Sequence, residues 1–395
     1  MDTQDLLAID QLHSLPTFRR FPVAFERASG SKVWDINGKE YIDLLAGIAV
    51  LNVGHCHPKV TAAITEQAQR LMHISNFFVN QPQVQLAQKL AKLSGLQYVF
   101  LSNSGAEAVE GAMKVARKYA SKNGRGGTII TMKNAFHGRT MSTVAATGKQ
   151  AMMIGFDPIP AGYLHVPFND FEALEAAITD DIAAVMMETV QGEGGVNIVD
   201  EGYLKKVRAL CDRENIVLIL DEIQCGMGRT GKMFAFEHFG VKPDVMPLAK
   251  ALGGGMPVGA VLASERVGGA IDPGDHGTTF GGNPMAAAAA LATIGVIEEE
   301  QLSQRATDTG AWLKSELTSR FKGHPLVKEI RGLGLMIGVE LTIEAKPLVL
   351  EMLEQGVIAN ATAGNTIRLV PPLNISKEEL LQAIEVMEGV IASAK

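Results

Sequence analysis

Cysteine is scarce: Cys56, Cys211 and Cys225 are the only three in 395 residues, odd in number and widely spaced. That excludes a disulfide framework and suits free thiols in a reducing compartment, so a cytoplasmic location is expected. Positive charge is also short. Lys and Arg total 36 against 43 Asp and Glu, a net charge of -7, whereas nucleic-acid surfaces carry a basic surplus. Long hydrophobic runs are missing too. The longest uncharged apolar stretch, around Met285 to Ile297, falls short of the ~20 residues needed to cross a bilayer. Met1-Asp2-Thr3-Gln4-Asp5 is acidic and lacks the basic-then-apolar order of a signal peptide. Neither nucleic acid nor membrane is expected as a partner.

What remains is an ordinary globular composition, 47% hydrophobic and 20% charged, in a chain long enough for two domains. The first forty-odd residues read as short strands and turns. Ala24 to Tyr41 holds two alternating runs, with Asn37-Gly38 as a hairpin signal. Pro58 opens a helix with Val60, Ile64, Ala68 and Leu71 on one face. From about Gln97 strands and helices alternate, with strands at 98–101, 128–132, 182–187, 216–220, 244–248 and 258–263. A capping box, Ser104-x-x-Glu107, starts the helix after the first of these. The alternation implies an α/β fold, an open and mainly parallel sheet covered on both faces. Beyond Asn283-Pro284 a long Ala-rich helix leads into mixed helices and short strands. The expected division is a large domain over 51–289 and a smaller α+β domain built from 1–50 and 290–395.

Three motifs are set aside. Gly226-x-x-x-x-Gly231-Lys232 resembles a P-loop, but Met233 stands where Ser or Thr would hold magnesium. Gly332-x-Gly334-x-x-x-Gly338 has the wrong spacing for a dinucleotide fingerprint. Gly54-His55-Cys56-His57-Pro58 crowds possible metal ligands together, yet adjacent ligands rarely close a tetrahedral site and no second cluster follows, so no metal is expected.

Two stretches carry chemistry. The apolar run Ile216 to Leu220 ends in Asp221, placing an acid where open α/β sheets bind ligands. Some thirty residues on, Lys250 sits past another strand and before Gly253-Gly254-Gly255, where a flat ligand can approach closely. Such an amine condenses with carbonyls when burial or a nearby cation lowers its pKa. Gly105 and Ala106 lie at a strand-to-helix turn, where backbone amides and the helix dipole favour a phosphate.

In this order Ser102-Asn103-Ser104-Gly105-Ala106-Glu107, Phe136-His137-Gly138-Arg139-Thr140, Asp221-Glu222-Ile223-Gln224, Lys250 with its glycines, and Gly277-Thr278-Thr279-Phe280-Gly281-Gly282-Asn283-Pro284 resemble the subgroup III aminotransferases. The resemblance spans essentially the whole chain. It implies fold type I and pyridoxal 5'-phosphate (PLP). It also implies Lys250 as the cofactor-bearing lysine, Gly105 and Ala106 on the phosphate, and Phe136 against the ring. Asp221 would meet the ring nitrogen and Gln224 the phenolic oxygen, with Ser104 and Glu188 among the cofactor contacts. Thr279 would reach the phosphate of a neighbouring subunit, which implies a homodimer with the site at the interface.

Leu45 to Val50, followed by Gly54-His55-Cys56-His57-Pro58, is similar to the branch acting on N2-acetylornithine in arginine biosynthesis. On that resemblance Arg139 would hold the α-carboxylate of the acylated ornithine and Thr278 its acyl-amino end. Glutamate would place its side-chain carboxylate on Arg139 and its α-carboxylate on Arg368, after displacing Glu193 from it. Succinylornithine, succinyldiaminopimelate, ornithine or 4-aminobutyrate as donors, and an aminomutase on the same scaffold, are the alternatives.

Overall fold

The computed structural model describes residues 1–394. An exposed helix, Thr3–His13, opens the chain and buries none of its residues. Three antiparallel strands follow, β1 (Phe25–Ser29), β2 (Lys32–Asp35) and β3 (Glu40–Asp43). Where sequence suggested two runs there are three strands, because Gly30 adopts φ 60° and turns the chain before β2. The Asn37-Gly38 turn is present. Asp35 Oδ1 accepts from the Asn37 and Lys39 amides while Gly38 takes φ 84°. The helix opened by Pro58 ends at Arg70; Leu71 is extended and 39% exposed rather than part of its apolar face.

The sheet that positions the site comprises β4 (Tyr98–Ser102), β5 (Thr128–Met132), β6 (Tyr163–Val166) and β7 (Ile182–Glu188). A small ribbon, β8 (Val190–Gln191) with β9 (Asn197–Ile198), comes next in the chain. Then β10 (Val217–Asp221), β11 (Val245–Leu248) and β12 (Gly259–Ala263) complete the seven-stranded sheet, ordered β4-β12-β11-β10-β7-β5-β6. β12 alone runs opposite to the other six strands. Every residue of β7 and β10 is buried, as expected of central strands covered on both faces, which read as apolar runs rather than alternations. Edge strand β6 escaped the sequence reading: four residues, Tyr-Leu-His-Val, only one of them buried, give little hydrophobic signal.

Helix Gly105–Lys122 covers one face through Ala108, Ala112, Met113 and Ala116. Its small side chains allow close approach to the sheet. The apolar helix Pro284–Glu299 packs on helices Pro58–Arg70 and Gln81–Ser94. The C-terminal part adds β13 (Val327–Leu333), β14 (Met336–Leu341), β15 (Val357–Ile358), β16 (Asn360–Thr362) and β17 (Thr366–Leu369). β13, β14, β17 and β16 form one antiparallel sheet. β15 instead joins the N-terminal sheet beside β3, with Val357 opposite Ile42. Capped by Ser376, helix Lys377–Ser393 buries Leu380, Ile384, Met387 and Ile391.

Candidate active site

At the carboxyl ends of the central strands the chain encloses a cavity of about 420 Å³. Ser104, Gly105, Ala106, Phe136, Arg139, Glu188, Asp221, Gln224 and Lys250 all line it. Parallel pairing sets Asp221 directly beside Glu188 at the ends of β10 and β7. β11 ends at Leu248, and Lys250 follows in a left-handed backbone conformation, φ 42°. A lysine in that conformation is held against its own preference, as happens at functional positions.

The cavity's rim at helix Gly105–Lys122 is a ready anion cradle. Ser104 caps the helix by accepting from the Glu107 amide, 3.2 Å, and its carbonyl accepts from Ala108. Gly105 and Ala106, the first two helical residues, keep amides with no acceptor within the helix. A Cβ at Gly105 would meet Ile223 at 3.2 Å, and one at Gly138 would come within 2.6 Å of Thr143 Oγ1 and 3.1 Å of the Ala106 Cβ. The glycines thus let two loops close around the helix end. Free amides, a half-buried amine and an acid at the end of β10 fit a flat phosphorylated carbonyl compound such as PLP.

Charge inside the cavity is tuned by burial. Lys250 has its pKa lowered to about 8, first by desolvation and then by the positive charge of Arg368. Glu188 is raised to about 7 by desolvation, and its Oε2 accepts the Phe136 amide at 3.1 Å. Asp221 is held on both oxygens: Oδ1 accepts from the Ile223 amide at 3.0 Å and Oδ2 lies 2.8 Å from His137 Nδ1. Burial works against protonation of His137, but the hydrogen bond and charge of Asp221 outweigh it and the histidine pKa is raised. Through this hydrogen bond His137 fixes the acid's orientation. Its Nε2 finds no partner among the described residues.

Arg368 is fully buried in β17. Its Nη1 donates to Glu193 Oε1 at 2.5 Å and to Gln224 Oε1 at 3.1 Å, and its Nε donates to Asn360 Oδ1 at 3.2 Å. Glu193 has its pKa lowered: the charge and hydrogen bond of Arg368 outweigh the desolvation that would raise it. Gln224 thus joins the cavity wall to the Arg368–Glu193 pair, which lies behind it. Arg139 is exposed, with its guanidinium 5.7 Å from the Phe136 ring centre. Thr278 and Thr279 do not line the cavity. The Thr278 hydroxyl accepts from Asn103 Nδ2 at 3.1 Å and from the Gly281 amide at 3.2 Å, whereas Thr279 is exposed.

Two features went unread in the sequence. His137 was seen only as part of a motif, because nothing local says which acid it faces 84 positions away. The second is the turn at Ala46, Gly47, Ile48 and Ala49, where φ is 48°, 65°, 67° and 59° in succession. Three of the four are not glycine, at roughly 1–2 kcal/mol each. Asp43 offsets this: its Oδ1 accepts from the Leu45 and Ala46 amides at 2.8 Å each, and its Oδ2 meets His55 Nε2 at 2.7 Å. The turn delivers Val50 to the cavity wall.

Residues 16–391 match the family described as Aminotransferase class-III. The acetylornithine aminotransferase of Methanocaldococcus jannaschii is 51% identical over 397 aligned positions, covering 100% of both chains. Among solved structures, the ornithine aminotransferase of Toxoplasma gondii superposes with a TM-score of 0.95 at 36% identity, covering 100% of this chain and 96% of that one. The acetylornithine aminotransferase of Elizabethkingia anophelis gives a TM-score of 0.89 at 36% identity, covering 100% of each.

Proposed function

The chain belongs to the class-III aminotransferases, PLP-dependent enzymes, and from that premise we propose that it moves the δ-amino group of N2-acetylornithine to 2-oxoglutarate, giving N-acetylglutamate 5-semialdehyde and glutamate. The observation that carries the reading is Lys250: a half-buried amine of lowered pKa, in one cavity with Asp221 and the free amides of Gly105 and Ala106. The choice of acylated ornithine rests on the full-length likeness to acetylornithine aminotransferases, and with it a place in arginine biosynthesis in the cytoplasm.

Gly105 and Ala106 hold the cofactor phosphate in this reading, with Ser104 beside them. Phe136 would lie against the ring, Gln224 would bond its phenolic oxygen, and Asp221, steadied by His137, would keep a proton at its nitrogen. When bound, PLP supplies an electron sink for the carbanion formed as the substrate C–H bond breaks. Lys250 is the residue that would hold the cofactor's carbonyl carbon, and its amine would serve as the base that moves the proton at the amine-bearing carbon of the donor. Arg139, exposed at the cavity mouth, binds the α-carboxylate of the acylated donor, with Thr278 near the acyl-amino end.

Glutamate needs a second cation, because its reacting amine sits beside its α-carboxylate. Arg368 serves when Glu193 leaves it; with the acylated donor the Arg368–Glu193 pair stays closed and neutral. Glu193→Ala is expected to raise kcat/KM for glutamate relative to N-acetylornithine by about tenfold, the value of one hydrogen-bonded ion pair of ~1.4 kcal/mol. An unchanged ratio in single half-reactions contradicts the gate.

A homodimer completes the site. Asn76 Nδ2 donates to the carbonyls of Thr278 and Gly281, and His73 packs on Phe280, so residues 72–80 and 278–281 share one surface. Met72, Phe77, Phe78, Val79 and Phe280 expose 59–93% of their area there, and contiguous exposed apolar residues mark interaction surfaces. A second copy covers this face and receives Thr279 at its phosphate. The domains run 1–50 with 290–395, and 51–289, the first held together by the β3–β15 pairing.

A further inference from the structure

Arg229, like Arg368, is an arginine with no exposed surface, yet no carboxylate lies within ion-pair distance of it among the described residues. Burial lowers its pKa to about 9, against the opposing charge of Asp43, so it stays protonated at neutral pH. Its charge is spread over neutral acceptors. Nη1 donates to the Leu335 carbonyl at 2.9 Å and the Pro371 carbonyl at 2.6 Å, and Nη2 to Asn52 Oδ1 at 2.5 Å.

Those two carbonyls have a place in the sheet. β14 and β17 pair antiparallel with Gly338 opposite Arg368 and Ile337 opposite Leu369. Continued two residues, that register sets Leu335 opposite Pro371. Proline has no amide hydrogen, so the ladder cannot go on there. Arg229 Nη1 supplies the missing donor to both strands from a third segment. That segment is the loop that leaves β10 at Asp221 and passes through Gln224, the residue bonded to Arg368. Gly334 permits the approach, since a Cβ there would stand 2.4 Å from the Thr230 carbonyl carbon. The Asn52 side chain extends the clamp: its Nδ2 donates to the Met227 carbonyl at 2.8 Å, and its backbone carbonyl accepts from the Leu373 amide at 2.8 Å.

We infer that Arg229 is a positioning residue for Arg368: by bridging Leu335 and Pro371 it locks β17 in register along β14 and fixes the distance between Arg368 and the Asp221–Gln224 loop. This rests on the reading of Arg368 as the glutamate α-carboxylate site. The clamp matters most for the substrate that uses Arg368. N-acetylornithine, held by Arg139, depends on it less.

The test uses the PLP-loaded dimer and follows each half-reaction separately by absorbance. Arg229→Lys keeps the charge but cannot bridge two carbonyls and Asn52 at once. Asn52→Ala removes the Nη2 acceptor and the bond to the Met227 carbonyl but leaves both Nη1 bonds, and it guards against a variant that does not fold. Expected for Arg229→Lys is a loss of tenfold or more in kcat/KM with glutamate, carried by KM, and less than threefold with N-acetylornithine; Asn52→Ala shifts the same ratio in the same direction by a smaller factor. Equal losses with both donors, or a fall in Tm with the ratio unchanged, in either variant overturn the inference. Arg368→Gln is the control. If it spares glutamate, the reading of Arg368 has failed; if it alone changes the ratio, the positioning claim has failed.

Discussion

Glu188 shows how much one buried side chain sets. Its carboxyl anchors the Phe136 loop through the backbone and sits beside Asp221, with a pKa raised to about 7 against an ordinary value of 4.5. Between those two pH values the folded protein holds a proton that the unfolded chain releases. Its contribution is therefore fully present below about 4.5 and is lost as pH rises through about 7, a change of ~3 kcal/mol. Glu188→Gln keeps an oxygen for the Phe136 amide and cannot titrate. The difference between wild-type and Glu188→Gln unfolding free energies, measured by urea titration of the cofactor-free protein, is expected to change by that order between pH 4.5 and 8. A pH-independent difference contradicts the assignment. Residue types and positions at this site were largely legible: Lys250, Asp221, Gly105 and Arg139 stand in motifs whose chemistry each residue can supply. The partners that tune them were not. His137 reaches Asp221, and Gln224 reaches Arg368 144 positions away, only because separate strands converge.

At the scale of elements, the central strands are legible as continuous apolar runs, and the helix after β4 by its cap. The turn at 46–49 is not. Leu-Ala-Gly-Ile-Ala-Val has an unremarkable pattern, and a left-handed turn that includes Ile48 runs against backbone preference, so no local rule finds it. It exists because Asp43 accepts two of its amides while bound to His55. Asp43→Ala leaves these donors unpaired in a buried place and is expected to cost about 2–4 kcal/mol of stability. It also frees Val50 from the cavity wall, so KM for the acylated donor should rise. Urea unfolding and donor titration check the two effects; a change of less than 0.5 kcal/mol with an unaltered KM contradicts the role given to Asp43. Edge strand β6 was missed for a simpler reason, since a half-exposed strand of four residues carries almost no periodic signal.

For the whole molecule, the α/β architecture and its order of strands and helices followed from alternation, whereas the return of β15 to the N-terminal sheet is a tertiary pairing of two residues that no local pattern reveals. Phe280→Arg puts a charge on the apolar face around Thr279 and is expected to shift the protein toward monomer in sedimentation and to weaken PLP binding. Thr279→Ala is expected to leave the dimer intact and weaken PLP binding alone, by about tenfold for one lost hydrogen bond. Normal PLP affinity in a monomeric Phe280→Arg protein contradicts a shared site.

The central claim is that this cavity performs amino transfer from acetylated ornithine. The most direct measurement is an absorbance titration of the PLP-loaded protein with N-acetylornithine, succinylornithine, ornithine and 4-aminobutyrate in parallel. The cofactor band is expected to bleach at the lowest concentration with N-acetylornithine, and to return on adding 2-oxoglutarate. Bleaching first by ornithine or 4-aminobutyrate contradicts the substrate, and a band that no donor changes contradicts the role of Lys250.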